Sequence, residues 1–447
     1  MAGLNSVGTP VSGSSGPVED LQQKWVDLTS AERVQALTEL GSDEAQDFFN
    51  TLAAADQAAV LMAMSNIERR WWLRQLAPDD ITDIVQELPE EERAALLALL
   101  DIPTRREVVA LLAYEEDEAG GLMSPRFARV RPDMSVDEAI TYLRPQARGQ
   151  AETIYYVYVL DSQQKLLGVV SFRDLLLAPP ERRVSEIMEK DLFTAPVDMD
   201  QETLSQLFAE SDLIAIPVVD AERHIQGIVT VDDIVDVVKE EATEDIQRLG
   251  GTEVLDAPYM HVGFFKMLRK RAGWLTVLFL GEMLTATAMA HYENEIARAV
   301  VLALFIPLII SSGGNSGSQA TTLLVRAIAL GEVRLRDWWR VLAREAIMGL
   351  ALGVILGLIG LMRILLWPTK AQVYGPHFIV VAVTVACSLV GVVLWGTMCG
   401  AMLPFILKKL RFDPASASAP FVATLVDVSG LIIYFTMASI IMGGVLL

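Results

Sequence analysis

Cysteine is nearly missing from these 447 residues: the two that occur, Cys387 and Cys399, share one apolar segment, which excludes a disulfide framework and a thiolate zinc site. The four histidines, His224, His261, His291 and His377, are scattered, so soft nitrogen or sulfur ligands for a transition metal are also lacking. No basic stretch followed by an apolar core opens the chain, and residues 1–19, rich in Gly, Ser and Pro, are expected to form a disordered leader without a secretion signal. Positive charge is scarce as well, but only in the first half. Residues 1–259 hold 21 basic and 49 acidic side chains (−28), whereas 260–447 hold 15 and 8 (+7). An acidic surface of this size repels nucleic acid and gathers cations, which rules out a DNA- or RNA-binding role.

What the second half does have is long apolar runs, and roughly 20 such residues suffice to cross a bilayer. Five spans are expected, at about 274–290, 297–329, 342–367, 378–407 and 421–447, the second too long for one straight crossing. Lys and Arg cluster before the first span, between Arg326 and Arg344, and at Lys408, Lys409 and Arg411. Alternating spans put all three clusters on one side, so the positive-inside rule predicts an inner-membrane, multi-pass protein with a cytoplasmic N-terminus and the C-terminus outside.

The acidic half is built from repeats. Leu28, Leu40, Leu52, Met64, Leu76, Leu88, Leu100 and Leu112 recur every twelve residues. Helix-start chemistry follows several of them, as in Pro78-Asp79-Asp80 and Pro89-Glu90-Glu91. Such short units stack into a helical superhelix with its acids outside. Those acids serve equally as a solvated face and as partners of the helix dipoles. A second duplication, at a shift of 59, aligns Ser171-Phe172-Arg173-Asp174 with Thr230-Val231-Asp232-Asp233. The strand, Ser/Thr-x-x-Asp, helix arrangement resembles a tandem pair of CBS domains. That resemblance implies clefts for ATP or another adenine nucleotide at Ser171, Arg173, Asp174, Thr230 and Asp233, although plain N-capping explains the same residues.

Ionisable groups within spans cost about 2.5–3.5 kcal/mol each on insertion scales, so each needs a reason. Asp427 stands out in Thr424-Leu425-Val426-Asp427-Val428-Ser429-Gly430, with no base on its helix, and helical spacing puts Pro420, Thr424, Asp427 and Tyr434 roughly on one face. Glu282 in the first span fits a pore role or an interhelical bond equally. The second span carries Ser311, Asn315, Gln319 and Thr322 on one face beside Gly313 and Gly314. This oxygen-rich lining suits a hydrated hard cation, and small-residue helix packing accounts for it too. One Asp427 cannot balance a divalent ion, whereas a twofold dimer with the pore on its axis supplies two.

The ordered set of features resembles the MgtE family of magnesium channels or transporters. It comprises the acidic repeats, the junction Tyr114-Glu115-Glu116-Asp117-Glu118-Ala119-Gly120-Gly121-Leu122-Met123, the CBS pair, the Glu241-Ala242-Thr243-Glu244-Asp245-Ile246 connector, and the motifs Gly313-Gly314-Asn315-x-Gly317-x-Gln319 and Pro420-x-x-x-Thr424-x-x-Asp427. The expected organisation is multi-domain: an all-α superhelical domain (20–125), an α/β tandem CBS pair (126–239), a connecting plug helix (240–272) and a five-helix all-α transmembrane domain (273–447), assembled as a homodimer in the lipid bilayer. The resemblance implies an Asp427 pair as the selective site, with Thr424, Asn315, Gln319 and Glu282 around it and Asp413 near the cytosolic mouth.

The resemblance also implies that cytosolic Mg2+ closes the pore by bridging acidic faces. Charge alone supplies the logic, since a −28 half repels itself until cations neutralise apposed acids. The candidates are Asp79, Asp80, Asp83, Asp232, Asp233, Asp236, Glu240, Glu241, Glu244 and Asp245. Two positions depart from the family pattern, Ala419 where Asn is frequent and Glu282 where an uncharged residue is expected. A broader Mn2+ or Co2+ transporter remains the alternative, because oxygen sites discriminate poorly among these ions. A nucleotide-sensing membrane enzyme lacks the nucleophile–base or metal motif it needs, and no enzymatic activity is expected.

Overall fold

The computed structural model describes residues 17–147, 151–255, 257, 259–260 and 262–443. Residues 1–16, most of the expected leader, lie outside the described residues, and a helix, Pro17–Lys24, begins within the remainder. The chain divides into two compact units, Met1–Val238 and Lys239–Leu447.

In the first unit the twelve-residue period is one helix plus one turn. Helices Ser30–Glu39, Ser42–Asn50, Ala54–Ala63, Asn66–Leu73, Pro78–Gln86, Glu90–Leu97 and Ile102–Leu111 follow in sequence, and the recurring Leu or Met falls just past each C-terminus. Thr29 and Ser65 form reciprocal capping boxes with Glu32 and Glu68, and Pro78 occupies a first turn. Helices this short are marginal alone. They are held by stacking: Ser30–Glu39 packs on Ala54–Ala63, that on Pro78–Gln86, and that on Ile102–Leu111. The shared core contains Phe49, Leu61, Met64, Leu76, Ile81 and Leu88.

Two three-stranded sheets follow, each with one parallel and one antiparallel pairing. The first is built from Arg129–Val130, Tyr156–Leu160 and Leu166–Ser171, the second from Ala195–Pro196, Ala215–Val219 and Ile225–Thr230. Tyr156 pairs with Ser171 and Ala215 with Thr230, so the internal duplication is preserved down to strand register.

The connector differs from the expected 240–272 helix. Glu240 to Asp245 belong to a helix that starts at the second module's motif, Val231–Leu249. It stops at Gly250-Gly251, where Gly251 has φ +72°, a conformation that costs a side-chain-bearing residue. The basic run Lys266 to Arg271 is instead the opening of the first membrane helix, Phe264–His291.

Five helices are long and apolar enough to cross a membrane: Phe264–His291, Val300–Ala329, Leu335–Leu365, Phe378–Lys409 and Ala419–Met442. This is a multi-pass membrane protein. The over-long second stretch is broken into a short helix Glu293–Arg298, a 3-10 segment Val300–Phe305 and the α-helix Ile306–Ala329, with Pro307 in its first turn where a missing N–H costs nothing. The fourth helix packs on the second, third and fifth, and the fifth also on the first.

The second and fourth helices meet at backbone distance. Thr321 Oγ1 donates to the Gly400 carbonyl at 2.8 Å, and a Cβ on Gly400 would lie 2.1 Å from the Gly317 oxygen. Gly400→Val must separate them, and is expected to lower the melting temperature in detergent by about 5–10 °C, the effect of a ~2–3 kcal/mol loss. Gly263→Ala, with nothing within 4 Å, is the control. Size-exclusion profiles after heating check this, and an unchanged Gly400→Val profile would show that the close approach is dispensable.

Candidate functional site

Two stretches far apart in sequence meet in the first unit. Pro78–Gln86 carries Asp79 and Asp80 in its first turn, and Val231–Leu249 carries Asp232 and Asp233 in its own. Acids there complement helix dipoles, but here both sets and Glu152 sense one another's charge. Asp79 is 8% exposed and its Oδ1 has no hydrogen-bond partner. Burial first, then Glu152, Asp80 and Asp233, holds its carboxyl well above the usual range. Burial likewise pushes Asp233 up to about 7, helped by Asp232, even though Thr230 Oγ1 donates to it at 2.7 Å. Arg126, whose field reaches Glu152, is paired with Glu107 at 2.8 Å. Five carboxyls thus share one place, the oxygen-only donor set that hard divalent ions take. Asp83 and Asp236 lie one turn further along the same two helices.

The sign of the pH effect follows from these raised values. Carboxyls protonated more readily when folded favour the folded state at low pH, and that advantage is lost as pH rises from about 4 through about 7. In EDTA the full-length protein is therefore expected to melt about 5 °C or more higher at about pH 5 than at about pH 7.5. Millimolar Mg2+ should close that gap at the higher pH by binding the folded form. Tryptophan fluorescence during heating checks it, and a melting temperature indifferent to both pH and Mg2+ would show that the acids do not bear on one another.

In the second unit the connector meets Asp413, which lies between the fourth and fifth membrane helices. Arg248 bridges Glu244 and Asp413. Asp245 faces Asp413, Glu241 and Glu244, and burial first, then Asp413, pushes it up to about 6. Glu241 is half-buried and Glu240 exposed on the same helix. Asp413 Oδ1 also accepts the Ala415 N–H at 2.8 Å, which fixes its position in the turn.

Within the membrane helices, Asp427 is half-buried on the fifth. The second helix approaches it closely: a Cβ on Gly314 would lie 3.4 Å from the Ala423 Cβ and 3.9 Å from Asp427 Oδ1. Ser311, Asn315, Gln319 and Thr322 share an exposed face of that helix, with Asn315 Nδ2 3.5 Å from Ser311 Oγ. Thr424 Oγ1 donates to the Pro420 carbonyl at 3.0 Å. The first helix places Glu282 in a side-chain hydrogen bond with Asp427. Tyr434 departs from the expected polar face. It is fully buried, and its hydroxyl donates to the Leu302 carbonyl at 2.8 Å beside the stacked Tyr292–Phe435 pair, so it anchors the core.

The two Ser/Thr-x-x-Asp motifs have diverged in setting. Ser171 Oγ donates to Asp174 Oδ2 at 2.6 Å and accepts its N–H at 3.0 Å, and Arg173 and Asp174 are exposed. Ser171's register partner, Tyr156, lines a cavity of about 230 Å³ with Tyr158, Leu192, Leu213 and Pro217. The Tyr158 hydroxyl is buried without a partner. Thr230 and Asp233, the second copy, belong to the acid cluster. Glu152, Arg248 and the cavity carry no sequence signal, because each acquires its meaning from residues distant in the chain.

Comparison with known proteins matches three family models: the MgtE divalent cation transporter over residues 306–437, the MgtE intracellular N domain over 17–117, and CBS domains over 119–181 and 184–240. The magnesium transporter MgtE of Thermus thermophilus is 40% identical over 96% of this chain and 93% of its own length. That of Bacillus subtilis is 30% identical over 94% and 91%. A crystal structure of the cytosolic domain of the Mg2+ channel MgtE in complex with ATP is 42% identical, covering 50% of this chain and 91% of that one with a TM-score of 0.47. With matches spanning nearly the whole sequence, the chain belongs to the MgtE family of magnesium transporters.

Proposed function

We propose that this chain imports Mg2+ as a homodimer, along the polar face that carries Asp427, Asn315 and Gln319, and that cytosolic Mg2+ shuts the path. The observation that carries the reading is Asp427, a carboxyl half-buried in an apolar helix and approached by the Gly314 backbone of a second. Mg2+ sheds water reluctantly, so a lining of carboxylate, amide and hydroxyl groups acts on its hydration shell. A second copy supplies the second charge and covers the exposed Asn315 and Gln319. The basic clusters set the acidic half in the cytosol and the C-terminus outside.

Cytosolic Mg2+ acts in this reading at two places, the Asp79, Asp80, Glu152, Asp232 and Asp233 cluster and the connector acids near Asp413. An adenine nucleotide enters the cavity beside Tyr156 and Tyr158, with Arg173 near its phosphates. Uptake into liposomes loaded with a Mg2+-sensitive dye tests the proposal. Saturable Mg2+ entry that falls when Mg2+ is added on the cytosolic side is expected. Entry of Mn2+ or Co2+ in preference to Mg2+ would overturn the choice of ion, and no entry of any of them would overturn transport.

A further inference from the structure

Glu282 is an expensive residue to keep in a membrane helix. The nearest basic residue on its own helix, Arg271, is about 16 Å away along the axis, and on the fifth helix no base lies between Ala419 and Met442. An acid so placed is retained for a partner or a ligand. Its position is set by packing: the preceding Gly281 meets the fifth helix so closely that a Cβ there would lie 2.9 Å from the Thr424 Cγ2. That contact fixes helix register and delivers the Glu282 carboxyl to Asp427, with which it hydrogen-bonds. Two carboxyls share a hydrogen bond only while one holds a proton. The same four oxygens, facing the Gly314 side of the second helix, suit a divalent cation in place of that proton.

We infer that Glu282 is a specificity-determining residue: with Asp427 it forms a paired-carboxyl cation site, so each subunit offers the permeating ion two acids rather than one. This deepens the proposed Mg2+ path and rests on Asp427 lining it. A second carboxylate tightens binding of a divalent ion and raises its advantage over a monovalent one, because Coulomb energy scales with the product of the charges. An interhelical hydrogen bond alone would affect neither.

Two measurements on the full-length protein decide this. In liposomes, Glu282→Gln is expected to raise the half-saturating Mg2+ concentration about tenfold, the result of losing one charge contact at intermediate dielectric. It should also admit Na+, whereas Glu282→Asp keeps values near the parent's. Unchanged half-saturation and ion preference in Glu282→Gln would overturn the inference while leaving the transport reading intact. Independently of flux, a lipid-soluble carbodiimide followed by mass spectrometry reads modification of each carboxyl. Millimolar Mg2+ is expected to protect Glu282 and Asp427 over the same concentration range, and Asp427→Asn to abolish protection of Glu282. Glu282 modified equally with and without Mg2+ would overturn the shared site even in a protein that transports normally. Protection without Mg2+ entry would uphold the site and overturn the transport reading alone.

Discussion

Asp427→Asn is expected to cut Mg2+ flux by at least about 100-fold while leaving the protein folded, because a unit charge a few ångströms from a divalent ion is worth several kcal/mol at intermediate dielectric and each 1.4 kcal/mol is tenfold. The substitution preserves shape. Asn fills the same volume against Gly314 and Ala423 and keeps a hydrogen bond to Glu282, so helix packing has no reason to change. What it removes is charge, and in a symmetric pair it removes it twice. The remaining oxygens of Asn315, Gln319 and Thr424 offer dipoles alone, and Thr424 is already engaged with its own helix at Pro420. Dipoles orient the water shell of Mg2+ but do not repay the cost of bringing a doubly charged ion into a low-dielectric path. Asp427→Glu keeps the charge and displaces it by one methylene, so partial flux is expected. Radiotracer or dye-monitored uptake, with size-exclusion profiles to establish folding, gives the comparison. Parent-like flux in Asp427→Asn would remove this carboxyl from the permeation path.

Local patterns were legible in the sequence because local physics makes them. A twelve-residue period needs only a capped helix and a turn, and each helix from Ser30–Glu39 to Ile102–Leu111 obeys it. The CBS duplication shows itself through a repeated strand–cap–helix order, and the spans through hydropathy. Asp427 was visible because an acid in an apolar run has no bland company. Glu152 was not. It sits in a loop, caps nothing, and gains significance only when Asp79 and Asp233 arrive from opposite sides in sequence. Arg248 looked like a C-terminal helix cation, a common partner of the dipole, and is instead the bridge between Glu244 and Asp413. Tyr434 fitted a helical face by spacing, yet a phenol offers an apolar body with one polar end, and the Leu302 carbonyl satisfies that end inside the core. The break at Gly250-Gly251 was written in plain residues, but the apolar and basic pattern beyond it let one helix be read where there are two.

Converting Asp79 and Asp233 together to Asn is expected to abolish closure by cytosolic Mg2+, raising the concentration that halves flux by about tenfold or more, within the 5–150-fold span of ordinary allosteric couplings. The argument turns on the cost these groups impose in the absence of metal. Asp79 is buried with an unpartnered oxygen, and Asp233 is pushed up to about 7 by burial and its acidic neighbours, so at neutral pH the compact arrangement is penalised until a cation enters. That penalty gives Mg2+ differential affinity for the compact state, and differential affinity is the only means by which a ligand shifts an equilibrium. Asn in both positions removes the repulsion along with the ligands. Unlike most substitutions at buried polar sites, this pair is therefore expected to make the metal-free protein more heat-stable at neutral pH, and to erase the further gain that Mg2+ gives the parent. Asp232 and Asp233 open the helix whose last turn holds Arg248 on Asp413, so the same helix carries both acid groups of the sensor. Flux at varied cytosolic Mg2+, paired with melting curves in EDTA and in Mg2+, separates the outcomes. Closure at the parent's Mg2+ concentration would assign sensing to the connector acids, and a variant that melts lower in EDTA would show that these carboxyls hold the compact state together without metal.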